Sequence, residues 1–184
     1  LAYSASFDGV IVEFIGQDPT FMNTDEKEAY ATTQNIVLNA VKSWKSANEN
    51  KMLTWQGKPQ NLIDKTILND CSHIILDIDK VTDTNQLLLT VKSALADGVP
   101  TDNIVIAVST TGADTSDKKT GYWDTDVRAL GEVAHWVAAG YPEADGFTRA
   151  GIAIYNVQND YYATGGTYTY VKEAINILNP APTK

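Results

Sequence analysis

Apolar residues in this chain fall into short continuous runs separated by longer stretches with helical spacing. Val10-Ile11-Val12, Ile74-Ile75-Leu76 and Ile104-Val105-Ile106 have the unbroken apolar character of parallel strands covered on both faces. The first run predicts a strand at about 8–15, followed by a helix from Asp25 to Asn48, with Thr24 as its N-cap and Asp25, Glu26 and Glu28 in its first turn. Lys51-Met52-Leu53-Thr54-Trp55 reads as a second strand, stopped at Gly57 and Pro59, and a short helix runs through Leu62, Ile63, Ile67 and Leu68. Ser72 to Ile78 is the third strand. Its helix, from about Asp83 to Ala96, carries Leu87, Leu88, Val91 and Leu95 at helical spacing, and Gly98 and Pro100 punctuate the return. Ile104 to Ser109 is a fourth strand, and a long polar loop then leads to a helix over Val127 to Ala139. Gly151 to Val157 is the fifth strand, before a last helix from Thr169 to Leu178.

Five β-α units in strict alternation predict an α/β fold with a parallel sheet and right-handed crossovers. No G-x-G-x-x-G or G-x-x-x-x-G-K-[ST] follows any strand, so a doubly wound nucleotide-binding sheet has no supporting motif. A barrel segment fits better.

The chain has 184 residues, 43% hydrophobic and 20% charged, the profile of one globular domain. Its net charge of −9, with no basic cluster beyond Lys118-Lys119, argues against nucleic acid and suits a neutral ligand such as a glycan. No apolar run approaches the roughly 20 residues of a membrane span, and a basic-then-apolar leader profile is absent from the first residues given. Cys71 has no second cysteine with which to form an internal disulfide and reads as a buried structural thiol. His73 and His135 are isolated, so no metal-ligand spacing is present and no cofactor is expected.

The first strand also carries chemistry. Ser6-Phe7-Asp8-Gly9-Val10-Ile11-Val12-Glu13-Phe14-Ile15-Gly16 resembles strand 4 of the family 18 glycoside hydrolases, the chitinase and endo-β-N-acetylglucosaminidase family, whose pattern is D-G-x-D-x-D-x-E. Residues two apart on a strand share a face, so the later acidic positions of that pattern fall on Ile11, Glu13 and Ile15. The resemblance implies a general acid at Ile15, and isoleucine holds no transferable proton. Gly151-Ile152-Ala153-Ile154-Tyr155-Asn156-Val157 is similar to strand 8 of the endo-β-N-acetylglucosaminidase branch, with its G-x-x-x-Y-N ending. Tyr170 to Pro180 looks like that branch's last helix. Lys51 to Pro59 and Asn103 to Ser109 stand where strands 5 and 7 belong. Where strand 6 of the family carries an aromatic or polar motif, this chain has Leu76-Asp77-Ile78-Asp79. The implied fold is the C-terminal part of a (β/α)8 TIM barrel, strands 4 to 8, as one domain over 1–184. A full barrel needs ~250 residues, so strands 1 to 3 are expected from a longer polypeptide or a companion chain.

Ligand sites in such barrels lie at the C-terminal strand ends. That rule selects Glu13, Trp55, Gln56, Asp77, Asp79, Tyr122, Trp123, Tyr155, Asn156 and Gln158. Aromatic rings suit the C–H faces of sugars; amides and carboxylates suit their hydroxyls. Each has a plainer reading. Trp55 fits the core between sheet and helix, Glu13 a buried hydrogen bond, and Asp77 and Asp79 a loop cap. Tyr122 and Trp123 belong to a loop long enough to cover a barrel mouth or simply to be solvated. Trp44 and Trp136 lie in helices and read as packing residues, while Tyr161 and Tyr162 follow the fifth strand and are candidates for the rim.

The family hydrolyses with substrate assistance, its glutamate acting as acid and its aspartate orienting the substrate's N-acetyl group, an exception to the usual pair of carboxylates. Two differently tuned groups are needed, and Glu13 alone cannot be both. The expectation is a non-catalytic protein that binds N-acetylglucosamine-containing glycan, extracellular or at a cell surface. An active endo-β-N-acetylglucosaminidase or chitinase using Glu13, with Asp77 or Asp79, is the alternative, and a structural or interaction fragment is a third reading.

Overall fold

The computed structural model describes residues 7–14, 16–76, 84–111, 123–139 and 151–181, with the backbone alone at 84–87, 111, 123 and 124. Strand β1 (Gly9–Phe14) is followed by α1 (Thr24–Ala47), β2 (Met52–Gly57), β3 (His73–Leu76), α2 (Thr84–Ala96) and β4 (Ile104–Thr111). Then come β5 (Trp123–Asp126), α3 (Leu130–Ala138), β6 (Ile152–Tyr155), α4 (Gln158–Ala163) and α5 (Thr169–Leu178).

Helix α1 starts one residue earlier than its spacing predicts, because Asn23 rather than Thr24 is the cap. The Asn23 side chain accepts from the Glu26 backbone N–H at 3.0 Å, and the Glu26 carboxylate accepts from the Asn23 N–H at 2.9 Å. This reciprocal pair satisfies two donors that the helix itself cannot. One stripe of the helix, Gln34, Leu38, Val41 and Trp44, is buried against the sheet. The short helix expected through Leu62 to Leu68 is instead two 3₁₀ turns, Pro59–Asn61 and Thr66–Asp70. Proline at the start of one and an aspartate side-chain turn before the other favour tight i to i+3 bonding over a regular helix.

All strand pairs are parallel, in the order β1-β2-β3-β4, with β6 also on β4. Ile106 pairs with Leu76 of β3 and with Ile152 of β6, so those strands flank β4 on opposite sides. The short β5 pairs with β4 over Val108–Thr111, on the side of β3 and past its end. It occupies part of the stretch expected to be loop. Sequential neighbours lie side by side with no reversal of order, which is the winding of a barrel wall and not of a doubly wound sheet. The sheet does not close among the described residues: β1 pairs with β2 only, and β6 with β4 only.

The outer face of the sheet forms the main core. Leu53, Trp55, Ile74, Leu76, Ile104, Ile106 and Val108 are buried against the helices, with Val91, Leu130, Val133 and Val137 opposite them. Cys71 joins this core; its Sγ donates to the Ile67 carbonyl at 3.4 Å, and burial pushes the thiol up to about 12. The inner face carries a much smaller cluster, Ile75, Val105 and Ala107, packed against Ala153 and Tyr155.

Behind β6, the side chain of Asp160 is fully buried and fixes the corner between α4 and α5. Its carboxylate accepts from the Val171 N–H at 2.7 Å and from the Thr164 hydroxyl at 3.2 Å. A backbone donor in the first turn of α5 is thereby satisfied.

Candidate functional site

Period-two alternation sorts the strand residues into two sets. Val12 and Phe14 of β1 pack with the outer core, so Glu13 between them projects from the inner face. The register places Glu13 beside Gln56, and Gln56 beside Ile75. The Gln56 Nε2 donates to Glu13 Oε1 at 3.4 Å, and the Tyr155 hydroxyl donates to Gln56 Oε1 at 2.9 Å. Tyr155 stands on β6 and Gln56 on β2, three strands apart; in a flat sheet that separation is about 14 Å. The direct hydrogen bond therefore requires the sheet to curl, bringing its two ends to face each other. Small residues allow this: Ala107 lies beside Ala153, beneath the tyrosine ring.

The three side chains form a directed row. With its amide oxygen holding the tyrosine proton, Gln56 must turn its amide nitrogen toward Glu13, and the reverse orientation would set two acceptors face to face. The carboxylate of Glu13 is exposed and keeps acceptor capacity beyond this one bond.

Asn156, the residue after β6, has φ 61°, a left-handed conformation that asparagine tolerates better than most residues. Its Nδ2 donates to the Ser109 Oγ at 3.1 Å. The Thr110 hydroxyl donates to the carbonyls of Asn156 at 2.9 Å and Tyr155 at 3.2 Å, while Asn159 Nδ2 donates to the Thr110 carbonyl at 2.7 Å. These bonds hold the turn that aims Tyr155. Ser109, Thr110 and Asn159 were not selected by sequence reasoning; the polar Ser109-Thr110 pair ending an apolar strand was the available signal.

Trp55 requires a correction. It is fully buried on the outer face, its ring 5.4 Å from that of Phe14, and thus packs the core instead of meeting a ligand. Gln158 is exposed as the first residue of α4, a helix that the sequence reading left out, and Tyr161 and Tyr162 sit on the same helix. Trp123 opens β5, with its side chain outside the description. Asp77, Asp79, Tyr122 and Ile15 lie outside the described residues.

No cluster of metal-ligating residues occurs among the described residues. No helix among them is long and apolar enough to cross a membrane.

A family model described as glycoside hydrolase family 18, BT1044-like, matches residues 2–177. The chain belongs to this family. Its fold is shared with an endo-β-N-acetylglucosaminidase from Cordyceps militaris, at a TM-score of 0.60 and 16% identity over 95% of this chain and 57% of that one. The family 18 chitinase ChiB from the chitin utilization locus of Flavobacterium johnsoniae gives 0.54 and 13%, over 96% and 63%. YKL-39, solved with chitooligosaccharides (GlcNAc4), gives 0.51 and 13%, over 95% and 70%. This chain thus spans less than two thirds of the two enzymes. No curated protein sequence matches it. Within a family 18 barrel, Glu13, Gln56, Tyr155 and Asn156 occupy the C-terminal strand ends that form the mouth.

Proposed function

We propose that the chain is a glycan-binding member of family 18 that holds N-acetylglucosamine-containing glycans without hydrolysing them. The observation that carries this reading is the residue two positions past Glu13, where the family pattern has its acid and this sequence has Ile15. Glu13 is left as a carboxylate acceptor, and family chemistry needs a proton donor as well. The row Tyr155, Gln56, Glu13 supplies what recognition needs. A carboxylate held in place by an amide accepts a hydrogen bond from the N–H of an N-acetyl group or from a hydroxyl, and the tyrosine ring offers an apolar surface beside it.

The edges on β1 and β6, unpaired among the described residues, support completion of the barrel by further strands, from a preceding segment or a companion chain. A glycan-capturing role fits an extracellular or cell-surface setting.

Isothermal titration with a high-mannose N-glycan and with chitobiose, followed by mass spectrometry of the recovered sugar, tests the proposal. Binding with the sugar intact is the expected result. Cleaved sugar would instead establish a hydrolase, and an absence of binding to either compound would remove glycan recognition.

A further inference from the structure

A second feature of the strand-end surface lies beside the Glu13 row and takes no part in it. The loop after β1, the first turns of α1 and the loop after β2 enclose a cleft of about 910 Å³. At its rim stands Phe21, 88% exposed, the most exposed large apolar side chain among the described residues. Its backbone is closely determined. The Asp18 carboxylate accepts from the Thr20 N–H at 2.8 Å and the Thr20 hydroxyl at 2.7 Å, Pro19 opens the 3₁₀ turn, and the Asn23 capping box follows. A phenylalanine held out to water on a fixed turn gives up the free energy of burying it.

The cleft walls are tied together by a buried asparagine. Asn61 Nδ2 donates to the Gly16 carbonyl at 2.9 Å, and the Asn61 carbonyl accepts from the Tyr30 hydroxyl and from Gln34 Nε2, each at 2.9 Å. Gln34 Oε1 in turn accepts from the Ile63 N–H at 2.7 Å. Both loops are thus fastened to α1, and the cleft exists before any ligand arrives. A side chain at Gly16 would collide with the Tyr30 hydroxyl and the Phe14 ring, so the walls stay close at that point. Gln60 in the wall donates to the Ser93 hydroxyl at 3.1 Å, which ties the loop after β2 to α2 as well.

We infer that this cleft is a second saccharide subsite, in which Phe21 stacks on the C–H face of a sugar ring and the neighbouring amides bind its hydroxyls. The chemistry favours a polyhydroxylated ligand: an aromatic face lies beside the amides of Gln17, Gln60 and Asn61, and the charged groups of the lining, Lys58 with Asp18 and Glu26, are of mixed sign and single out no ion. Distance connects it to the first site. Gly16 on the cleft lining follows Glu13 by three residues, and that length of chain reaches at most about 11 Å, so the near wall of the cleft lies within the span of a short oligosaccharide held at Glu13. The inference rests on the glycan-binding reading and extends it to ligand length.

The test compares chitobiose and chitotetraose on the whole chain and on Phe21→Ala, an exposed position where truncation spares the core. The expected result is stronger binding of chitotetraose by the unaltered protein. In Phe21→Ala that advantage falls about tenfold, chitobiose binding is unchanged, and Phe21→Trp restores the difference. Equal binding of the two sugars, or a Phe21→Ala variant that affects both alike or neither, overturns the subsite while leaving glycan binding in place. If neither sugar binds the unaltered protein, the primary reading fails and this one with it.

Discussion

The two faces of the sheet are built by different rules. The outer face uses Trp55, Leu53, Ile74 and Ile104, fully buried and interlocked with helices. The inner face uses Ala107, Ala153 and Val105, with a polar row at its strand ends and a nearly two-thirds exposed Ile11 at its edge. One face supplies the burial that offsets chain entropy; the other has little bulk and carries the polar row. Adjacent residues of one strand therefore have opposite duties, and Trp55 next to Gln56 is the sharpest case.

Breaking the outer face should give the largest effect. Trp55→Ala is expected to destabilise by about 3–5 kcal/mol, read as a lower midpoint in urea unfolding. A well-folded variant with reduced sugar affinity would instead put Trp55 in the site and dissolve the contrast. Glu13→Gln should act in the opposite sense. Stability should stay within about 0.5 kcal/mol, while affinity for an N-acetylglucosamine disaccharide should fall by about ten- to a hundredfold, measured by titration calorimetry. Smaller again, Tyr155→Phe removes one hydroxyl from Gln56 and should cost about 0.5–1.5 kcal/mol, split between folding and binding. If its binding loss matched that of Glu13→Gln, the tyrosine would be a direct contact and not a support for the amide.

The weakest effect belongs to the exposed edge of the outer layer. Hydrogen bonds from the Thr66 side chain and backbone, and then from Lys42, hold the Asp64 carboxyl down from its ordinary 3.8 to about 2. The folded value lies below the unfolded one, so this contribution is complete above about pH 4 and is lost as pH falls toward 2. Solvent screening keeps it under about 1 kcal/mol. Asp64→Asn should flatten that part of the stability profile and leave sugar binding at neutral pH untouched.

Much of this contrast is legible in the sequence. The apolar runs gave each major strand its place, and the alternation within Leu53-Thr54-Trp55-Gln56 already assigns Trp55 and Gln56 to opposite faces. Trp55 shares its strand end with Gln56 but not its face, so position along the strand alone misplaces it among ligand contacts. Other features left weaker traces. Trp123-Asp124-Thr125-Asp126 is too short and polar to stand out as β5, and Gln158 to Ala163 lacks an apolar stripe long enough to reveal α4. The bond between Tyr155 and Gln56 joins positions 99 residues apart and exists because the sheet curls, which no local pattern encodes. Phe21 was similarly invisible as a site residue, since its meaning depends on a turn and on the walls that Asn61 fastens.

Cys71 has a use beyond packing. Only the thiolate reacts with alkylating reagents, and here the sulfur is both sealed from solvent and shifted strongly toward its protonated form. Labelling therefore has to wait for the wall between the helices and the sheet to part. As the chain has no second cysteine, the rate of reagent uptake becomes a clock for that opening, and a bound sugar that slows it would report, without any added dye, that the mouth and the core are mechanically joined.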